Sequence, residues 1–240
     1  MRNLVAAAAL VASTLVITLA GAGCAPATYK TTKLSSVGEK GELTFKFDSC
    51  LLDCALDQPA LQGSAVSITA KGGKPNVALS VRVAESAVAT ISEQSYVCDG
   101  TDCRLQMDIE TKQQGEAKLE VVDKAGNVVD SVALHVKAAS AIEVHVRGHE
   151  LGPDNYFTVK QGEKLAVEST VFDDDRSELV FSRHGVSQEY GDKAIVGPDE
   201  DLNLFGSSDV EDAVAKNVGD ATLTLRAPGA ETIVRFHVTK

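Results

Sequence analysis

The sequence predicts an all-β protein built as two tandem two-sheet sandwiches. Three observations predict it. Apolar and polar residues alternate over short runs from Glu42 to Val238, the pattern of strands with one face on a core and the other in water. Turn-forming stretches such as Asp99-Gly100, Asp123-Lys-Ala-Gly126 and Pro228-Gly229 separate the runs. The order of elements also repeats. Gly115-Glu-Ala-Lys-Leu119 leads into a hairpin whose last strand ends Leu134-His135-Val136. Gly219-Asp-Ala-Thr-Leu223 stands 104 residues later and leads into one ending Phe236-His237-Val238, a spacing of one domain length.

Taken in order, Leu43, Phe45 and Phe47 form the first inward set. Val66, Ile68 and Ala70 follow, then Val77, Leu79, Val81 and Val83, with Ser80 and Arg82 outward. Ala87, Ala89 and Ile91 make a short run, and Leu105, Met107 and Ile109 alternate with Arg104, Gln106, Asp108 and Glu110. Ala117, Leu119 and Val121 enter the turn at Asp123, and Val132, Leu134 and Val136 return from it. About seven short strands in about 100 residues is the expectation for a two-sheet sandwich. The second series begins after Lys137-Ala-Ala-Ser140 with Ile142, Val144 and Val146. It runs through Phe157 and Val159, Leu165, Val167 and Val171, Leu179 and Phe181, then Ala221, Leu223 and Leu225, and Val234, Phe236 and Val238. One short helix is expected from Ser208 to Lys216, because Ser208-Asp-Val-Glu211 has the spacing of a capping box.

Composition narrows the function. The chain has 240 residues, 23 Lys and Arg against 34 Asp and Glu, and a net charge of −11. It lacks the basic surface that nucleic acid requires. A hydrophobic content of 44% excludes a disordered chain. Seven Phe, four Tyr and no Trp leave little for a sugar-stacking platform.

Residues 1–23 read as a secretory signal: Arg2, then an apolar run from Leu4 to Ala20, then Gly21, Ala22 and Gly23 before Cys24. Leu19-Ala20-Gly21-Ala22-Gly23-Cys24 resembles the lipobox of bacterial lipoproteins, with Gly21 where that family usually has Leu. The resemblance implies a thioether lipid on Cys24, cleavage before it, and acylation of the new amino terminus, as by palmitate. Several acyl chains together anchor stably. Ala25 is not the aspartate that resembles an inner-membrane retention signal, so the expected location is the cell envelope, at the outer rather than the inner membrane. Two competing readings are ordinary cleavage that leaves Cys24 free or paired, and an uncleaved membrane anchor. Residues 24–40 are small and polar and read as a flexible spacer.

Five cysteines are an odd number. Lipidation of Cys24 leaves Cys50, Cys54, Cys98 and Cys103, and an exported protein is expected to pair them. Three pairings are possible. Cys50–Cys54 with Cys98–Cys103 is favoured, because Asp99-Gly100 makes a tight turn inside the second pair. A zinc site from two thiolate pairs is disfavoured, since the spacings are not CxxC.

The body resembles tandem bacterial immunoglobulin-like (Ig-like) domains. Ser86-Ala-Val-Ala-Thr-Ile91 is similar to that family's "values that vary" strand, and Gly115–Leu119 and Gly219–Leu223 to its penultimate strand. The expected division is 41–139 for the first sandwich and 140–240 for the second. The resemblance implies surface display, adhesion or spacing. The core tryptophan and inter-sheet disulfide of antibody domains are missing.

No catalytic motif emerges. Nucleophile elbow, Walker loop, dinucleotide fingerprint and zincin pair are all absent. Alternation places His135, His145 and His237 outward, with His149 and His184 in loops. Asp173-Asp174-Asp175 is a weak calcium candidate, as is Asp199-Glu200-Asp201, but the first lacks the glycine and spaced glutamate of an EF-hand. The reading is a non-enzymatic, lipid-anchored envelope protein without a cofactor. It binds the membrane through Cys24 and acts with a protein partner in binding, adhesion or spacing. The alternatives are a periplasmic accessory subunit of an envelope complex and, behind it, a β-rich hydrolase.

Overall fold

Among the described residues, strands alone account for the regular structure. The computed structural model describes residues 35–48, 54–75, 77–152, 156–182, 185–199 and 210–240, without the side chains of 210 and 211. The signal segment, Cys24, Cys50, His184, Glu200, Asp201 and Ser208 lie outside the described residues.

The first sandwich contains β1 (Ser36–Val37), β2 (Thr44–Phe47), β3 (Ala60–Leu61), β4 (Ala65–Lys71), β5 (Ser80–Val83), β6 (Ala89–Asp99), β7 (Asp102–Thr111), β8 (Gly115–Val122) and β9 (Val128–Lys137). The second contains β10 (Ala141–Val146), β11 (Tyr156–Lys160), β12 (Lys164–Phe172), β13 (Ser187–Tyr190), β14 (Val196–Pro198), β15 (Val210–Ala215), β16 (Gly219–Ala227) and β17 (Ala230–Thr239). The sheets of the first are ordered β1-β2-β4-β7-β6 and β3-β9-β8-β5; those of the second are β10-β12-β15-β14 and β11-β17-β16-β13. Apart from β1, the second pair repeats the first strand for strand. This is the Ig-like arrangement of a four-strand sheet over a three-strand sheet, with a short strand pairing parallel to the last one in each copy.

The inward sets follow the sequence closely. Phe45, Phe47, Ile68, Ile109, Leu119 and Leu134 are fully buried in the first core, and Leu165, Leu223, Leu225 and Phe236 in the second. The repeat extends to single residues. Gly115 and Gly219 open β8 and β16 at φ 143° and 145°. A Cβ there would meet Val88 at 3.2 Å in one copy and Ile195 at 2.8 Å in the other. Glycine is needed for both the backbone angle and the close approach.

Several expectations are corrected. The helix expected from Ser208 is instead strand β15, which pairs with β12 and β14. Ala213 and Ala215 alternate inward there and are fully buried. A single helical turn cannot match that burial, because short helices are marginal without packing. Ser36 and Val37, read as spacer, form β1. Val77 and Ala87, read as inward, are exposed and precede β5 and β6. The short edge strands β13 and β14 carry too little alternation to be read.

One buried carboxylate fixes the chain's entry into the first sandwich. Asp130 on β9 is fully buried. Its Oδ1 accepts the N–H groups of Lys40 and Ser131 at 2.8 Å, and its Oδ2 those of Glu42 at 2.9 Å and Leu43 at 2.8 Å. Gly38 packs on the same carboxylate, where a Cβ would come within 2.3 Å. Burial alone would push this carboxyl up. The four N–H donors outweigh it and hold the group below the usual carboxylate range. Its contribution is therefore full above the ordinary carboxylate pKa and lost as pH falls through its own lower value. Asp130→Ala is expected to lower unfolding stability by about 2–4 kcal/mol. Hydrogen exchange should locate the loss first at residues 38–43, and unchanged protection there would refute the assignment.

Candidate functional site at the joint

Three residues, Ala138 to Ser140, connect β9 to β10. The two sandwiches nevertheless belong to one compact unit, because other segments cross between them. Ala60 of β3 bridges Val180 in parallel. Leu61 N–H donates to Val180 O at 2.9 Å, and Val180 N–H donates to Pro59 O at 2.9 Å. Ser182 donates twice to Ala65 O, from its N–H at 2.8 Å and its Oγ at 2.7 Å.

The side chains on this bridge are exchanged. Leu61 is fully buried in the core of the second sandwich. Val180, 5% exposed, belongs to the core of the first. Gly185 makes room, since a Cβ there would meet Phe181 at 2.6 Å and Leu61 at 2.9 Å. Each sandwich thus completes the other's packing.

The acidic triplet lies at this same joint. Asp173, Asp174 and Asp175 occupy the turn after β12, which Arg176 closes at a φ of 61°. Their ligand atoms lie within 4.8 Å of one another, as the calcium reading requires. An internal cation already stands among them. Lys137, the last residue of β9, places Nζ 2.7 Å from Asp173 Oδ2, 2.7 Å from Asp175 Oδ2 and 3.8 Å from Asp174 Oδ1. Asp173 is fully buried, and its Oδ1 also accepts Ser177 N–H at 2.7 Å. Burial opposes its ionisation, but Lys137 and the Ser177 N–H outweigh burial and hold it low. Hydrogen bonds to Asp173 and then Asp175 push the lysine up. The arrangement joins one sandwich's last strand to the other's turn through an ion pair with one fully buried partner.

The other expected site residues are dispersed. Cys98 and Cys103 form a disulfide at the end of the β6–β7 hairpin, with Cα atoms 4.1 Å apart. Cys54 is also disulfide-bonded; Cys50, expected as its partner, lies outside the described residues. His135, His145 and His237 are exposed. His135 and His237 face Glu116 and Asp220 across equivalent strand pairs, at 3.5 and 2.6 Å. The ring nitrogens of His149 contact Thr158 O at 3.1 Å and Glu163 Oε1 at 3.0 Å. Asp199 pairs with Lys164 at 2.7 Å. Leu61, Lys137 and Val180 escaped the sequence reading. A signal existed for one of them: Leu179-Val180-Phe181 is apolar at three successive positions, so a strand there must face two cores.

Leu61→Ala, a change in the first sandwich, is expected to cost about 2–4 kcal/mol and to lower hydrogen-exchange protection in β16 and β17 of the second. An effect confined to the first would refute the exchange. Asp173 contributes fully above the ordinary carboxylate pKa and loses its contribution as pH falls through its lower value. Lys137 contributes fully below the ordinary lysine pKa and loses its contribution as pH rises through its raised value. The ion pair is thus constant across the neutral range. Millimolar calcium is expected to leave the melting temperature unchanged, whereas a rise of several degrees would show the ion displacing the ammonium.

No protein-family model matches the sequence. No curated protein matches it either. Among solved structures, domains 5–6 of the S-layer protein SbsC align at 14% identity over 76% of this chain and 94% of theirs, with a TM-score of 0.32. The Escherichia coli adhesin FdeC aligns at 14% identity over 86% of this chain and 65% of its own, with a TM-score of 0.31. A tandem segment from titin aligns at 12% identity over 75% of this chain and 62% of its own, with a TM-score of 0.32. At such scores the likeness carries no argument about function, and the Ig-like assignment rests on the strand order and register.

Proposed function

We propose that the protein is a lipid-anchored component of a bacterial cell envelope, presenting two interlocked Ig-like sandwiches in a non-enzymatic binding, adhesion or spacing role. The observation that carries this reading is the exchange of Leu61 and Val180 across the joint. A flexible joint would let each sandwich reorient separately, as domains with small polar interfaces do. A joint built from shared core residues holds both in one fixed relation, which suits a spacer or a presenting platform.

The sequence supplies the anchor. The lipobox-like Leu19–Cys24 supports acylation at Cys24, and Ala25 supports sorting to the outer membrane. The first sandwich begins at β1, so about a dozen residues separate the lipidated cysteine from the fold. A chain that short keeps the first sandwich close to the bilayer surface.

Mass spectrometry of the amino-terminal peptide from membranes of cells fed an alkyne fatty acid tests the anchor. A diacylglyceryl thioether on Cys24 with an acylated amino group is expected, and Cys24→Ala should move nearly all of the protein into the soluble fraction. A free or disulfide-bonded Cys24 in the membrane fraction would contradict the anchor.

A further inference from the structure

The sheet of the first sandwich that contains β4, β7 and β6 turns one face away from the core. On that face lies a cavity of about 380 Å³, lined by Asp48, Ser67, Glu93, Ser95, Gln106 and Asp108 among others. Glu93 and Asp108 are direct partners in the β6–β7 register. Like charges directly opposite on neighbouring strands destabilise the pair. Ser67 donates to Asp108 Oδ1 at 2.6 Å, and Thr69 donates to Asp48 Oδ2 at 2.6 Å. Among the described residues, no ion pair reaches Glu93 or Asp108. The register also slips between Ile91 and Glu93, so Ser92 forms a bulge that sets Glu93 opposite Asp108. Such bulges re-aim side chains and recur beside functional sites.

The same place is a sheet edge, where the Gln94 side chain accepts Val81 N–H of β5 at 2.8 Å and Tyr96 OH donates to Lys74 O at 3.1 Å, both side chains leaving the backbone groups of β6 unpaired. β6 ends its sheet, and residues 92–95 and 97–99 are exposed, Val97 by 61%. Cys98 and Cys103 stand opposite each other with Cα atoms 4.1 Å apart, the separation of a non-hydrogen-bonded pair. Cys98 therefore turns its backbone N–H and C=O away from β7, and by alternation so do Tyr96 and Gln94. Among the described residues, no backbone bond reaches these outward groups. An edge of this length without proline is a template for an added strand.

The two features fit one occupant. The carboxylates here do not converge to metal distance as Asp173–Asp175 do, so a bare cation is not the match. An ammonium or guanidinium on an extended backbone satisfies both the strand edge and the opposed carboxylates. The chain's net charge of −11 steers a basic partner toward it. We propose that β6 takes an extended basic segment of a protein partner as an added strand. Its backbone pairs with Gln94, Tyr96 and Cys98, and a lysine or arginine enters beside Glu93 and Asp108. The inference rests on the binding role proposed above and names the chemistry of the partner.

The test titrates the mature full-length protein in detergent with two labelled peptides, one alternating lysine and threonine, the other glutamate and threonine. The basic peptide is expected to bind and to slow hydrogen exchange at the amides of Gln94, Tyr96 and Cys98, while the acidic one does not bind. The double variant Glu93→Gln with Asp108→Asn should weaken binding about tenfold or more. It should melt no lower than the parent protein, because it removes a repulsion. Equal binding to the double variant, protection elsewhere, or no binding of the basic peptide would overturn the proposal. Lipidation of Cys24 is read by mass spectrometry, so failure here and failure of the anchor are distinguishable.

Discussion

The exchange of Leu61 and Val180 is the contact on which the rest of the molecule depends. A core residue is ordinarily supplied by its own domain. Here β3 of the first sandwich sends Leu61 into the second core, and the segment after β12 returns Val180 to the first. The paired backbones of Pro59–Leu61 and Val180 hold this exchange in register. Deleting a buried aliphatic side chain costs several kcal/mol, partly through the cavity it leaves. Separating the sandwiches would open two such cavities at once. The Lys137 ion pair acts at the same joint but differently. A buried pair contributes little net stability, because desolvation offsets its attraction, yet breaking it strands Asp173 without its charge partner. Its effect is to specify one relation between the sandwiches.

Each sandwich is otherwise built by the same local rules. The strand order repeats in both sheets, and Gly115 and Gly219 start equivalent strands in the same unusual conformation. What differs is the entry of the chain. Only the first sandwich carries β1, held through a turn whose backbone amides converge on Asp130. An ionised carboxylate can be buried without a cation when enough N–H dipoles surround it. The feature therefore fastens the amino-terminal end of the described fold.

Most of the architecture was legible in the sequence, because half-buried strands write their burial as alternation. Leu43, Phe45 and Phe47, or Leu119 and Val121, could be assigned to a core from neighbours alone. The failures are instructive for the same reason. Ser208 to Lys216 carried a capping box, a local signal, but the two buried alanines of β15 gained their burial from β12 and β14, which are distant in sequence. Val180 sat on the face that alternation calls outward, and its partner core lay in the other domain. Asp173–Asp175 was read as a weak calcium candidate. The structure places the Lys137 ammonium there, 36 residues earlier in the chain. Asp130 gave no signal, since its partners are backbone amides that any sequence provides. Residues whose role is set by long-range packing are those that periodicity misses.

Differential scanning calorimetry of the mature protein tests the central claim most directly. If the two sandwiches share their cores, the chain unfolds in one transition, and the calorimetric and van't Hoff enthalpies agree. Two separated transitions, each with the enthalpy of a single sandwich, would contradict the exchange and the fixed joint built on it.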